Sequence, residues 1–164
     1  MPIYNHNGTF GHPVNISRFV TDVQNGVVAG PLPYLAGAGN DLGVNASAAQ
    51  AIGPVPGITR AFGLITCAAV IYVSTDPNAV PAAWVNHSNA GHVSAADVAA
   101  ALASLGGPPT ASVLVIFAHP GASDPGYLAS IGTIGASGIP ANNIVEIPNL
   151  IVPQFGINNL AQIG

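Results

Sequence analysis

The chain has 164 residues, a length that suits one ordinary domain with a single core. Hydrophobic residues make up 49% and charged residues 5%; the net charge is −4, Arg18 and Arg60 are the only cations, and there is no lysine. Phosphate backbones and anionic lipid surfaces are gripped by Lys and Arg, so neither nucleic acid nor membrane is an expected partner.

The amino-terminal "MPIYNHNGTFGH" lacks the charged and apolar regions of a secretory signal peptide. The longest apolar run, around Phe62 to Val73, is interrupted by Thr66 and is too short for a membrane span of about 20 residues. The expectation is a soluble protein whose export, if any, takes another route.

Residues 1–57 carry the weakest signals. Phe19, Val20, Val23 and Val27 recur at helical spacing after Ser17, which reads as the N-cap of a short helix. "GPLPYLAGAGNDLG" and "GPVPG" read as loop, and the glycines at 37, 39 and 43 miss a dinucleotide fingerprint by one residue.

Signals sharpen from residue 58. "CAAVIYV" and "AVPAAWVNH" are β-rich runs around the turn formers of "STDPN", the pattern of a hairpin. Ser94 and Asp97 form a capping-box signature ahead of Val98, Ala101, Leu102 and Leu105, and "GGPP" closes that helix. "ASVLVIFA" (111–118) is continuously apolar, which predicts a central strand covered on both faces. "SDPGYLASIGTIGASGIP" predicts a helix with Asp124 as cap, Pro125 at its first position and Leu128 and Ile131 facing inward. "NIVEI" and the weaker "NLIVP" follow as strands. The order β-β-α-β-α-β describes an α+β fold: a mixed, largely antiparallel sheet with a Cys–His hairpin and helices packed on it.

The hairpin raises the chemical question. Residues paired in an antiparallel hairpin have numbers with a constant sum, so placing Cys67 opposite His87 requires a midpoint at Pro77, inside the turn. Pairing Cys67 with His92 moves the midpoint between Ala79 and Val80 and runs the strand through "SNAG". The expected register therefore selects His87, and puts Cys67, Ala69, Ile71 and Val73 on one face with Val85 and Ala83. Ala68, Val70 and Tyr72 share the other face with Trp84 and Asn86. Thiolate is the reactive form of cysteine and a neighbouring imidazolium favours it, so the pair suffices for a nucleophile. Against this stands the ordinary reading of a lone cysteine in an apolar strand, which is packing.

"GLITCAAVIYV…AAWVNHSNAG" resembles the Cys-then-His hairpin of the protein deamidases that include the CheD chemotaxis receptor deamidases, the cytotoxic necrotizing factor catalytic domain and Burkholderia lethal factor. The likeness continues through the following helix, "VLVIFAHPGA" and "GIPANNIVEI", covering roughly residues 58–150 of one domain spanning 1–164. It implies hydrolysis of a protein Gln or Asn side-chain amide, with Cys67 as nucleophile, His87 as base and no cofactor. The Cys-to-His spacing is wider than usual there. Ala61 stands where those proteins often have a threonine, leaving that role to Thr59 or Thr66, or to neither. Thr59, Thr66 and Ser88 are the supporting or oxyanion candidates, and His92 is the alternative base.

The absence of lysine, which leaves only the amino terminus for ubiquitin attachment, suits a bacterial effector or toxin acting in a eukaryotic cytosol; the alternative is a deamidase of the bacterium's own chemotaxis receptors. Two rival classes stay open. A metal site could draw on His6, His12, His87, His92 or His119, although no pair has the i, i+4 spacing of a zinc hydrolase. A non-enzymatic assembly module would also suit the low charge.

Overall fold

The computed structural model describes residues 1–121 and 125–164. Along the chain run β1 (Asn5–Phe10), β2 (Val14–Asn15), α1 (Ile16–Gln24), β3 (Ala29–Leu32), β4 (Asn40–Leu42), β5 (Ser47–Ala51) and β6 (Ile58–Leu64). There follow β7 (Ala68–Ser74), β8 (Ala82–Ser88), α2 (Ala95–Ser104), β9 (Val113–Ala118), α3 (Pro125–Ala136), β10 (Ile144–Ile147), β11 (Val152–Asn158) and β12 (Gln162–Ile163). Strands of mixed, largely antiparallel pairing with helices against them make this an α+β fold.

Two five-stranded sheets carry the architecture, one ordered β10-β9-β7-β8-β5 and the other β2-β12-β11-β6-β4, beside a parallel β1-β3 ribbon. The larger core lies between the sheets: Ala69, Ile71, Val85 and Ile116 from the first meet Ala61, Leu64, Phe155 and Ile157 from the second. Ile16, Phe19, Val20 and Val23 of α1 join them. The smaller core lies on the first sheet's other face, where Val70, Tyr72, Val115 and Phe117 pack under Val98 and Ala101 of α2, Leu105 at its C-cap and Ile134 of α3. The interior strands β7 and β9 are thus buried on both faces, which is why β9 is apolar at all six positions.

The capping box of α2 forms as expected, with Ser94 Oγ accepting from Asp97 N and the Asp97 carboxylate accepting from Ser94 N. Other expectations shift. The N-cap of α1 is Asn15 in place of Ser17: Asn15 Oδ1 accepts from the N–H groups of Ser17 and Arg18, because pairing with Gln162 holds the chain at Asn15. β9 is interior to its sheet, but the middle strand is β7. In α3 the inward residues are Tyr127, Ser130 and Ile134, and Ile131 is partly buried against the same core as expected, while Leu128 is 58% exposed. Polar tips decided that phase, since Ser130 Oγ accepts from Val93 N and the Tyr127 hydroxyl donates to Thr66 O. Pro125 opens α3 as expected, and the Asp124 cap lies outside the described residues.

Two strand assignments also change. "ITRAFGL" forms β6 despite its arginine, because Arg60 is buried against Asp41 with Nε 2.6 Å from Oδ1. The strand expected in "NLIVP" begins later, at Val152, after Asn149 turns the chain with φ of 59°. Residues 1–57 supply the expected short helix as α1, and β4 and most of β3 fall within the stretch read as loop; β2 and β4 join one sheet and β5 the other.

Candidate active site

β6 and β7 belong to different sheets, and the short link Ile65-Thr66-Cys67 carries the chain from one to the other. Gly63, at φ of 82°, takes a conformation that a residue with a side chain rarely adopts, and Ile65 N bonds back to its carbonyl. Cys67 therefore sits at the crossover, immediately ahead of β7, and is 5% exposed. Thr66 Oγ1 lies 4.0 Å from its sulfur.

His87 is not opposite Cys67. The observed pairs are Ala69↔His87, Ile71↔Val85 and Val73↔Ala83, so the register is displaced by two residues from the expected one and the hairpin centres on Asn78. Pro81 explains the slip: it has no N–H for the ladder, and β8 starts only at Ala82. The longer loop is held by Asx and Ser contacts, Asn78 N to Asp76 Oδ1 and Asp76 N to Ser74 Oγ, and by Val80 N on Leu105 O. A displacement of two conserves the face of every side chain. Cys67, Ala69, Ile71, Val73, Ala83 and Val85 do share the inter-sheet core, and Ala68, Val70 and Tyr72 face away with Trp84.

His87 is fully buried and reaches across the core, with Nδ1 2.8 Å from the carbonyl oxygen of Leu42 at the end of β4. A carbonyl oxygen only accepts, so Nδ1 carries the proton. Nε2 is then the open nitrogen; it is buried and has no hydrogen-bond partner among the described residues. The β8 main chain is anchored at the same residue, by His87 N on Ala46 O and Asn45 N on His87 O. The ring is thus oriented by the Leu42 carbonyl and the main chain by Ala46 and Asn45, with one ring lone pair uncommitted among the described residues, an arrangement that suits a base oriented by a third group. Cys67 precedes the ladder by one residue, and alternation puts it on the face of Ala69, the residue paired with His87.

The other sequence candidates separate. Thr59 is buried at the far end of β6, where its hydroxyl donates to Gln50 Oε1, and Gln50 pairs with Ala83, four residues from His87. Ser88 points to the opposite face from His87 and donates to the His92 carbonyl at 2.5 Å. His92 is exposed, beyond the Asn89–Gly91 turn that ends β8. Of these candidates Thr66 adjoins Cys67 at the crossover, with Oγ1 4.0 Å from the sulfur.

Three partners went unforeseen. The Leu42 carbonyl carries no sequence signature, being backbone. Tyr127 donates its hydroxyl to the Thr66 carbonyl at 2.9 Å. His119, read only as a possible metal ligand, lies on the helix-covered face with Nε2 2.7 Å from Glu146 Oε1, and its ring stacks on Tyr127 with centroids 4.5 Å apart. Beside Thr66 an open cleft of about 600 Å³ is lined by Ile65, Ala90, Pro120, Tyr127 and Ile151, with no charged side chain among its described lining residues. Among the described residues, no three His, Cys, Asp or Glu side chains converge as metal ligands would, and no helix is long and apolar enough to cross a membrane. Compared with models of protein families and with curated proteins, the sequence matches none.

Proposed function

We propose that this protein hydrolyses side-chain amides, deamidating Gln or Asn of a protein substrate through Cys67 and His87. One observation carries the reading: the His87 imidazole is locked by the Leu42 carbonyl so that a partnerless Nε2 lies on the same sheet face as Cys67. A buried polar atom without a partner calls for an explanation, and a base awaiting a proton is one. Catalytic hydrogen bonds are often long before substrate binds and tighten in the complex.

In the proposed cycle Nε2 takes the Cys67 thiol proton and the sulfur attacks the amide carbon. The resulting oxyanion is held by backbone N–H groups at the crossover. His87 passes its proton to the amide nitrogen, the C–N bond breaks and ammonia leaves. Water, deprotonated by Nε2, then cleaves the thioester to the carboxylic acid, regenerating thiol and imidazole. The uncharged cleft beside Thr66 suits an uncharged substrate segment.

The resemblance of "GLITCAAVIYV…AAWVNHSNAG" to the deamidase hairpin supports the chemistry, and the absence of lysine supports a bacterial effector working in a host cytosol. Delivery of wild-type and Cys67→Ser protein into host cells, followed by proteome-wide mapping of Gln and Asn converted to acid, tests both. A conversion made by wild type alone is expected. Conversion confined to receptors of the producing bacterium would replace the effector by a chemotaxis-type enzyme, and no conversion anywhere would overturn the amidase.

A further inference from the structure

We infer that Tyr127 is a positioning residue for the oxyanion-binding N–H of Cys67, acting through the Thr66 carbonyl. The inference rests on the amidase reading above. Thr66 C=O and Cys67 N–H belong to one peptide unit, which is planar and trans, so the two bonds point in opposite directions. The Tyr127 hydroxyl, 2.9 Å from Thr66 O, holds one end of that unit and thereby aims the other. β7 begins its ladder at Ala68, which leaves the Cys67 N–H outside the strand pairing. A donor in that position meets an oxyanion forming on the carbon attacked by the adjacent sulfur.

The phenol is itself held from behind. Tyr127 is 4% exposed, its ring lies against His119 at an interplanar angle of 25°, and the buried Glu146 carboxylate holds His119. His119 follows β9 and Glu146 lies in β10, adjacent parallel strands, so this support stands on rigid sheet. Glu146, His119 and Tyr127 therefore reach Thr66 from the helix-covered face, while Leu42 and His87 approach from between the sheets.

Two reagents separate the roles. Iodoacetamide alkylates the thiolate by displacing iodide and forms no oxyanion. p-Nitrophenyl acetate acylates it: sulfur attacks the ester carbon, an oxyanion forms, and p-nitrophenolate leaves an acetyl thioester. Tyr127→Phe keeps the ring stack and deletes only the hydroxyl. It should leave the alkylation rate within about twofold of wild type and slow acylation by about 10-fold to 100-fold, the scale of weakening one oxyanion donor. Incorporating 3-fluorotyrosine at position 127 retains the donor and should restore acylation. Equal effects on both reagents, or none on either, would overturn the positioning role while leaving Cys67 reactive. If wild type reacts with neither reagent faster than its denatured form, the amidase reading itself fails and the inference falls with it.

Discussion

His87 pairs with Ala69 across the β7–β8 hairpin, and Cys67 lies two residues further along the same face. The thiol and the imidazole are therefore not directly opposed. His87 takes its orientation from Leu42 O, an atom of the other sheet, so the imidazole is set by the packing of two sheets and not by the hairpin alone.

Cys67 should behave as an activated thiol. Iodoacetamide near neutral pH is expected to label the folded protein at least about 10-fold faster than the denatured chain, because in the proposed cycle Nε2 of His87 takes the thiol proton. Mass spectrometry of the labelled peptide measures it. A folded thiol that labels only after unfolding would return Cys67 to a packing role.

His87→Ala should slow turnover by about 100-fold or more, the usual contribution of a general base. It also empties a fully buried position and leaves the Leu42 carbonyl unpaired, at a cost of about 2–4 kcal/mol in urea melts. His92→Ala, at an exposed residue, should change stability by less than about 0.5 kcal/mol and leave activity intact. The opposite ranking in parallel assays would move the site off the inner face.

Tyr72→Phe should hold or raise stability, by up to about 1 kcal/mol, because the Tyr72 hydroxyl is buried without a hydrogen-bond partner among the described residues. Burial, with a smaller contribution from Asp97, pushes this phenol's pKa well above its ordinary value. The unfolded chain therefore loses the Tyr72 proton from about pH 10 while the folded chain keeps it. Stability from this group is complete below that pH and falls as pH rises through it. Urea melts at about pH 8 and about pH 11 should show a smaller alkaline loss in Tyr72→Phe than in wild type. An equal loss would show that other groups govern the alkaline limb.

Gly156→Ala should be among the most damaging substitutions, costing about 3 kcal/mol or more. A Cβ there would fall onto the Thr59 carbonyl oxygen and onto Arg60 of the paired strand, both held in the β6–β11 ladder. Backbone cannot swing aside as a side-chain tip can. A melting temperature close to wild type would mean that β6 and β11 separate more freely than their pairing indicates.

Local and periodic features were readable in the chain itself. Ser94 and Asp97 announced α2 because a capping box uses side chains three positions apart, and continuous apolarity announced β9 because both of its faces are covered. The face shared by Cys67, Ala69 and Ile71 was also readable, since alternation along a strand survives any even slip of register. Decisions made by contacts distant in sequence were not. The partner across from Cys67 depended on Pro81 refusing a ladder bond, the phase of α3 on Tyr127 and Ser130 finding acceptors and donors 61 and 37 residues away, and the burial of Arg60 on Asp41. The orienting group of His87 is a main-chain oxygen 45 residues upstream. Every residue offers that same carbonyl, so side-chain chemistry in the sequence cannot single out Leu42, and only the packing of β4 against β8 through the two sheets brings it to the imidazole.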